Sequence, residues 1–288
     1  MPEALELDIG IAKLAALAWG PPDGRPVLAS HGWLDNAATM TRLAPLLCEA
    51  LPLRIVCLDL PGHGLSEHKR GPYHFIDSVA DVIHAADALG WERFSLLGHS
   101  MGAGISTLVA GAVPDRIERC VLLEGLGPMA DDPAQAARRL GRSLRLEATK
   151  RHKAKRSFEH PDVAVARLRE VAKMDLESAR ILLARGLVQR EDGWTWRADP
   201  SLRLDSRMRL TEAQVQAFLH AISCPVLLVS ATEGWPHDAK LMRARVDAVA
   251  NLETVQVQGR HHVHLDDPEG VAAVVIPFVR PLLEGVSA

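Results

Sequence analysis

A serine framed by two glycines is the first place in this chain where chemistry can be read. Phe94-Ser95-Leu96-Leu97-Gly98-His99-Ser100-Met101-Gly102-Ala103-Gly104 begins as an apolar run of strand length. After Ser100 it continues as a small-residue helical pattern. Gly-x-Ser-x-Gly between a strand and a helix is the form of a sharp turn that holds a nucleophile in a strained backbone conformation. The neighbours of such a residue must be nearly free of side chain, as Gly98 and Gly102 are. The turn presents the Ser100 hydroxyl at the C-terminal edge of a sheet. It also directs the Met101 N–H, at the start of a helix, toward any oxyanion that forms.

A serine hydroxyl at neutral pH is a poor nucleophile and needs a base, with a third group to orient that base. In a strand–turn–helix of this kind the partners follow in the order Ser, acid, His. Three histidines, His261, His262 and His264, crowd the segment after the last apolar run. His261 is the expected base, because it directly follows the Gly259-Arg260 turn where the loop crosses the sheet edge; His264 is expected to fix that loop. Glu124 and Glu233 each end or follow a strand and are both candidates for the acid, with no winner from spacing alone. A second oxyanion donor is expected from the Trp33 N–H in His31-Gly32-Trp33, where Gly32 allows close backbone approach. His31, Gly32 and His99 are pocket candidates. Asp59, Gly62, His63, Gly64 and Ser66 read as a structural loop, and Asp35 and Asn36 as caps of the helical stretch near Met40.

The elements that must position these residues follow a rhythm. Glu6 to Trp19 reads as an edge hairpin through Gly10. Strands are expected at 26–30, 54–60, 94–98, 120–123, 225–230 and 252–257, with helices at 40–51, 76–89, after Ser100, 238–250 and 268–283. Near-continuous apolar strands alternating with helices argue for a parallel sheet covered on both faces. The rhythm breaks between residues 129 and 209, which read as helical, polar and without a strong strand. Residues 1–128 and 210–288 then form one core, and 129–209 a helical cap over the ligand crevice at the strand ends. Arg138, Arg139, Arg142, Arg145, Lys150, Arg151, Lys153, Lys155 and Arg156 make this insertion basic, a pattern read first as a solvated helix face. Trp194 and Trp196 flank Thr195 as a short extended segment or a pocket wall.

Bulk composition narrows the classes. The 288 residues are 48% hydrophobic and 24% charged, enough for a large core, and the net charge of -3 points to neither nucleic acid nor an anionic membrane. Cys48, Cys57, Cys120 and Cys224 lie in or beside apolar runs with no metal-ligand spacing, which reads as buried reduced thiols. The opening residues carry no signal-peptide pattern, so a cytoplasmic location is expected. No metal or organic cofactor is implied.

Taken together, His31 to Asn36, Asp59 to Ser66, the elbow at 98–102 and Gly259-Arg260-His261-His262-Val263-His264 resemble the α/β-hydrolase superfamily, and within it the serine hydrolase-like proteins. The resemblance extends through Leu182-Leu183-Ala184-Arg185-Gly186-Leu187 and Ala231-Thr232-Glu233-Gly234-Trp235. It implies an α/β-hydrolase fold: a mostly parallel eight-stranded sheet with helices on both faces and an inserted helical cap. It also favours Glu124 over Glu233, since an acidic residue stands at that earlier strand end in those proteins. The expected activity is cleavage of an ester or related acyl bond through an acyl-enzyme. Its small-molecule acyl substrate is unspecified. A thioesterase, amidase or carbon–carbon bond hydrolase with the same residues is the alternative within enzymes; a binding protein with a remnant site is the alternative outside them.

Overall fold

The alternation seen in the sequence folds into one large sheet. The structure, a computed structural model, describes residues 1–150 and 157–281. Arg151, Lys153, Lys155 and Arg156 of the basic stretch lie outside the described residues, as do Leu282 and Leu283 at the end of the expected last helix. In chain order the first elements are β1 (Glu3–Asp8), β2 (Lys13–Trp19), β3 (Arg25–Ser30), α1 (Leu43–Ala50), β4 (Leu53–Leu58), α2 (Asp77–Ala88), β5 (Phe94–His99), α3 (Met101–Ala112) and β6 (Ile117–Leu123). The insertion holds α4 (Ala136–Lys150), β7 (Ser157–Phe158), α5 (Pro161–Ala172), α6 (Leu176–Gly186), β8 (Leu187–Arg190) and β9 (Gly193–Trp196). Then follow α7 (Glu212–Ala221), β10 (Val226–Glu233), α8 (Ala239–Asp247), β11 (Leu252–Arg260), α9 (Val263–Asp266) and α10 (Pro268–Val279).

The eight strands of the main sheet run in the order β1-β2-β4-β3-β5-β6-β10-β11, and only β2 opposes the rest. This is the architecture that the resemblance implies. Side chains alternate across the pleat. Leu28, Val56, Leu96 and Leu122 therefore pack under α2, α3 and α7, through Val82, Ala103, Ile105 and Leu219. Ala29, Ile55, Leu97 and Val121 pack on the other face against α1 and α10, through Leu43, Leu47, Val271 and Val275. A sheet buried on both sides explains the unbroken apolar strands. Cys57, Cys120 and Cys224 are buried and Cys48 half-buried, all four free; burial pushes the Cys224 and Cys48 thiols up to about 11.

Chain order reverses direction across the sheet at β3: β4 lies on one side of it and β5 on the other. Such a reversal opens a crevice beyond the carboxyl ends of the two strands. Ser100 and the His31-Gly32-Trp33 loop flank that crevice.

The insertion differs from expectation. It holds a three-stranded antiparallel sheet, β7-β9-β8, beside its helices. Arg190 pairs with Gly193 across a two-residue turn, with Gly193 at φ 117°, and Thr195 turns inward between Trp194 and Trp196. The strands are only two to four residues long. So little alternation is lost among polar neighbours. Phe158, Ala164, Val165, Leu182, Leu183 and Leu187 form a small core that reaches Leu265 of the main body.

Polar ties fasten the insertion to the loops at the sheet's C-terminal edge. Asn36 Nδ2 donates to the Leu182 carbonyl at 2.8 Å, Trp33 Nε1 to the Leu202 carbonyl at 3.0 Å, and Ser178 Oγ to Asp266 Oδ1 at 2.6 Å. The central tie is Arg185 to Asp59. Asp59 is fully buried and accepts from Ala37 N at 2.6 Å, Leu65 N at 2.7 Å and Arg185 Nε at 2.8 Å. Gly64 is required beside it: an added Cβ there would sit 2.2 Å from the carboxylate. The loop is thus structural, as its residue types imply. Removing one member of a buried ion pair strands the other charge in a low dielectric. Arg185→Leu is expected to lower the unfolding free energy in urea by about 3 kcal/mol. A change within about 0.5 kcal/mol, the range of an ordinary surface substitution, would show that the pair does not hold the insertion down.

Candidate active site

The site begins with one residue's backbone. Ser100 sits at φ 52°, ψ −109°, between the last residue of β5 and the first of α3. A non-glycine residue there stores strain on the order of 1–3 kcal/mol. Close packing of strand against helix holds it. A Cβ added to Gly98 would lie 2.4 Å from the Gly102 carbonyl oxygen, and one added to Gly102 would lie 2.1 Å from that of Ser30. The Ser100 N–H donates to the Leu123 carbonyl at 2.8 Å, which ties the turn to the end of β6.

Two hydrogen bonds lead away from the hydroxyl. Ser100 Oγ lies 2.9 Å from His261 Nε2, and His261 Nδ1 lies 2.9 Å from Glu124 Oε2. An ionised carboxylate only accepts, so Nδ1 carries the proton and Nε2 presents its lone pair to the hydroxyl. Glu124 is itself fixed, at φ 61° beyond the end of β6. Its Oε1 accepts from Ala231 N at 2.5 Å and its Oε2 from Trp235 N at 2.9 Å. Gly234 makes room, since an added Cβ would stand 2.3 Å from Oε2. Burial pushes the Glu124 carboxyl up, but the His261 hydrogen bond and the two backbone donors outweigh it and hold it below its ordinary value.

Of the two candidate glutamates, the structure brings Glu124 to the imidazole and leaves Glu233 exposed. Strand β10 runs on to Glu233, past a bulge after Ala231, and pairs it with Arg260 at the sheet's edge. Met101 occupies the first position of α3, where the helix itself offers its N–H no acceptor. Trp33 follows β3, whose Ser30 pairs with Gly98 of β5. Both backbone donors named from the sequence therefore border the serine's turn. Two basic residues of α4 meet acids: Arg139 pairs with Asp131 and Arg142 with Asp205.

The pocket candidates require a correction. His31 and His99 are fully buried and Gly32 is buried, so all three stand behind the site. Residues that end interior strands turn their rings inward. His31 accepts from Leu60 N at 3.0 Å and contacts the Gly32 carbonyl at 2.7 Å. His99 Nε2 donates to the His261 carbonyl at 2.9 Å, bracing the loop from beneath. His264 joins Thr39 Oγ1 at 2.7 Å, so it does fix the loop. Asn36 caps the turn at Ala37–Met40 by accepting from Ala38 N, but Asp35 does not cap. Its Oδ2 instead lies 3.2 Å from His262 Nε2 and 3.7 Å from His99 Nδ1. Trp235, half exposed, stands 5.6 Å from the His261 ring. Its place next to Gly234 in a recognisable segment was the only sequence signal for it. A small cavity of about 20 Å³ between insertion and core is lined by Leu34, Asp35, Leu168, Leu182, Leu183 and Trp196, among others.

Buried imidazoles make the molecule pH-sensitive. Burial is the largest cause holding His31, His63, His99 and His264 below the ordinary histidine value, His63 down to about 3. In the unfolded chain they titrate near ~6.5. Their contribution is therefore complete above that value and lost as pH falls below it, because only the unfolded chain takes up the protons. His262 has the opposite sign: burial lowers it, but Asp35 outweighs burial and raises it, so its share is present below ~6.5 and lost as pH climbs through its folded value. The four buried imidazoles oppose one, and His237, lowered chiefly by burial, sides with them, while Glu124, held below its ordinary carboxylate value, acts only at lower pH. Tm is expected to rise from pH 5 to pH 7; a calorimetric series flat over that window would contradict the buried, neutral imidazoles.

Comparison with known proteins agrees with the geometry. The chain is 32% identical over 283 residues to a serine hydrolase-like protein of Danio rerio, covering 93% of this chain and 86% of that one. It is 31% identical to a serine hydrolase-like protein of Dictyostelium discoideum, over 96% of this chain and 81% of that one. Among solved structures, a hypothetical protein of Pseudomonas aeruginosa PAO1 superposes with a TM-score of 0.91 at 44% identity, covering 96% of this chain and 99% of that one. A thioesterase domain from the curacin biosynthetic pathway shares the fold, with a TM-score of 0.86 at 24% identity over 96% of this chain and 99% of that one. Residues 27–274 match the description Alpha/beta hydrolase family, and with the eight-stranded sheet and its nucleophile turn the chain belongs to that family.

Proposed function

We propose that this protein is a serine hydrolase that cleaves an ester or related acyl bond through an acyl-enzyme. The observation that carries the reading is the continuous chain Ser100–His261–Glu124, with two 2.9 Å contacts in the order nucleophile, base, acid. In the forward step His261 Nε2 takes the Ser100 proton as Oγ attacks the carbonyl. It then returns that proton to the leaving group. Glu124 keeps Nδ1 protonated and stabilises the imidazolium that forms. The Trp33 and Met101 N–H groups receive the oxyanion. Water then attacks the acyl-enzyme with His261 again as base, which frees the acid and restores the serine.

Residues 129–209 act as a cap over this site. Their ties to Trp33, Asn36, Asp59 and Asp266, all at the C-terminal edge of the sheet, support that reading. Four free cysteines, three of them buried, fit a reducing compartment and a cytoplasmic location. Among the described residues no helix is long and apolar enough to cross a membrane.

Wild-type protein is expected to label with a fluorophosphonate probe, and Ser100→Ala to lose the label. Failure of folded wild type to label would remove the catalytic reading. Against p-nitrophenyl esters, Glu124→Gln is expected to lower kcat by about 10³- to 10⁴-fold through loss of the correct tautomer. Glu233→Gln should stay within about twofold, as a surface substitution away from the reacting atoms; the reverse ranking would reassign the acid.

A further inference from the structure

Behind the proposed catalytic groups lies a second cluster that the hydrolytic chemistry does not use. The geometry points to Asp35, His99 and His262 as a buried site for one divalent transition-metal ion of the zinc type. A carboxylate oxygen and two imidazole nitrogens are the donor set that zinc and cobalt favour. Their spacing suits such an ion. Asp35 Oδ2 is 3.2 Å from His262 Nε2 and 3.7 Å from His99 Nδ1, and all three donor atoms lie within 4.8 Å of one another. Ligands held at ~2.0–2.2 Å around a tetrahedral ion stand roughly 3.4 Å apart. Asp35 stands within a few tenths of an ångström of that spacing from both imidazoles, and the two ring nitrogens, within 4.8 Å of each other, would be drawn together by up to roughly an ångström on binding.

His99 is the most telling member. Its Nε2–H donates to the His261 carbonyl, which leaves a lone pair on Nδ1. That nitrogen is fully buried, has no hydrogen-bond partner, and faces the Asp35 carboxylate. Two lone pairs facing each other in a dry interior repel, and a cation between them turns repulsion into coordination. A ligating imidazole whose other nitrogen donates to a backbone carbonyl is the usual support for a metal. On His262, Nδ1 is also buried and without a partner, so it can hold the ring proton while Nε2 ligates. Gly32 keeps the space clear: an added Cβ would lie 2.8 Å from Asp35 Oδ2 and 3.0 Å from His99 Nδ1. His264 stays outside the set, packed on His99 at 4.1 Å between ring centroids and tied to Thr39. Asp35 also lines the small cavity beneath the insertion, which has room for about one water on the carboxylate's side of the cluster.

The three donors come from three separate places: the loop after β3, the end of β5 beside Ser100, and the loop after β11. An ion there would cross-link the segments that carry the oxyanion donor, the nucleophile and the base. Full-length protein freed of metal by a chelator is titrated with Co²⁺, then with Zn²⁺. One equivalent of Co²⁺ should give the visible absorption of tetrahedral cobalt, and Zn²⁺ should bleach it. Asp35→Asn and His262→Gln should each weaken binding at least 100-fold with an unchanged circular dichroism spectrum. Crystals of wild type soaked in zinc should show anomalous density between the three side chains, a readout that does not depend on either variant folding. Absence of stoichiometric binding, retention of binding in both variants, or anomalous density only at exposed histidines such as His160 would overturn the site. Fluorophosphonate labelling of the metal-free protein reports on Ser100 separately.

Discussion

The contact on which the rest depends is that between the strand bearing the nucleophile and the helix that follows it. Gly98 and Gly102 leave no space for a methyl group between β5, α3 and the end of β3. That closeness forces Ser100 into φ 52°, ψ −109°. The hydroxyl can stand clear of the sheet only because the backbone pays this strain, and the packed sheet around it keeps the turn from relaxing. Everything on the C-terminal edge is arranged around that single raised oxygen.

The partners are held by different physics. Glu124 is fixed by three hydrogen bonds and by a glycine that lets its carboxylate approach the chain. His261 is held on one side by Glu124 and from below by His99, through its own carbonyl. Below that lies a layer of buried histidines, with Asp35 set against His262 and His99. This polar layer in a low-dielectric interior is unusual, because each buried group must find partners or cost stability. Several nitrogens in it have none. Hence the layer invites a chemical explanation beyond packing.

Ties between the insertion and the main body follow a similar logic. Asp59 is buried at the end of β4, where it organises its own loop and receives Arg185 from α6. One carboxylate thus couples the shape of the crevice rim to the position of the segment above it. The short sheet β7-β9-β8 stiffens that segment without joining the main sheet.

What could be read in advance was whatever local pattern dictates. Apolar runs, their length and the glycines around Ser100 determined the sheet, its covered faces and the nucleophile turn, because backbone geometry at those points depends on neighbours in sequence. The crowd of histidines marked the loop that approaches the serine. Between Glu124 and Glu233 spacing along the chain gave no winner and only the resemblance favoured Glu124; the fold sets which carboxylate meets the ring, since both end strands. It alone turned His31 and His99 inward, placed Asp35 against His262 rather than on a helix end, and paired Arg185 with Asp59 across 126 residues. Those outcomes depend on distances between segments far apart in the chain, and spacing along a sequence carries no information about such distances.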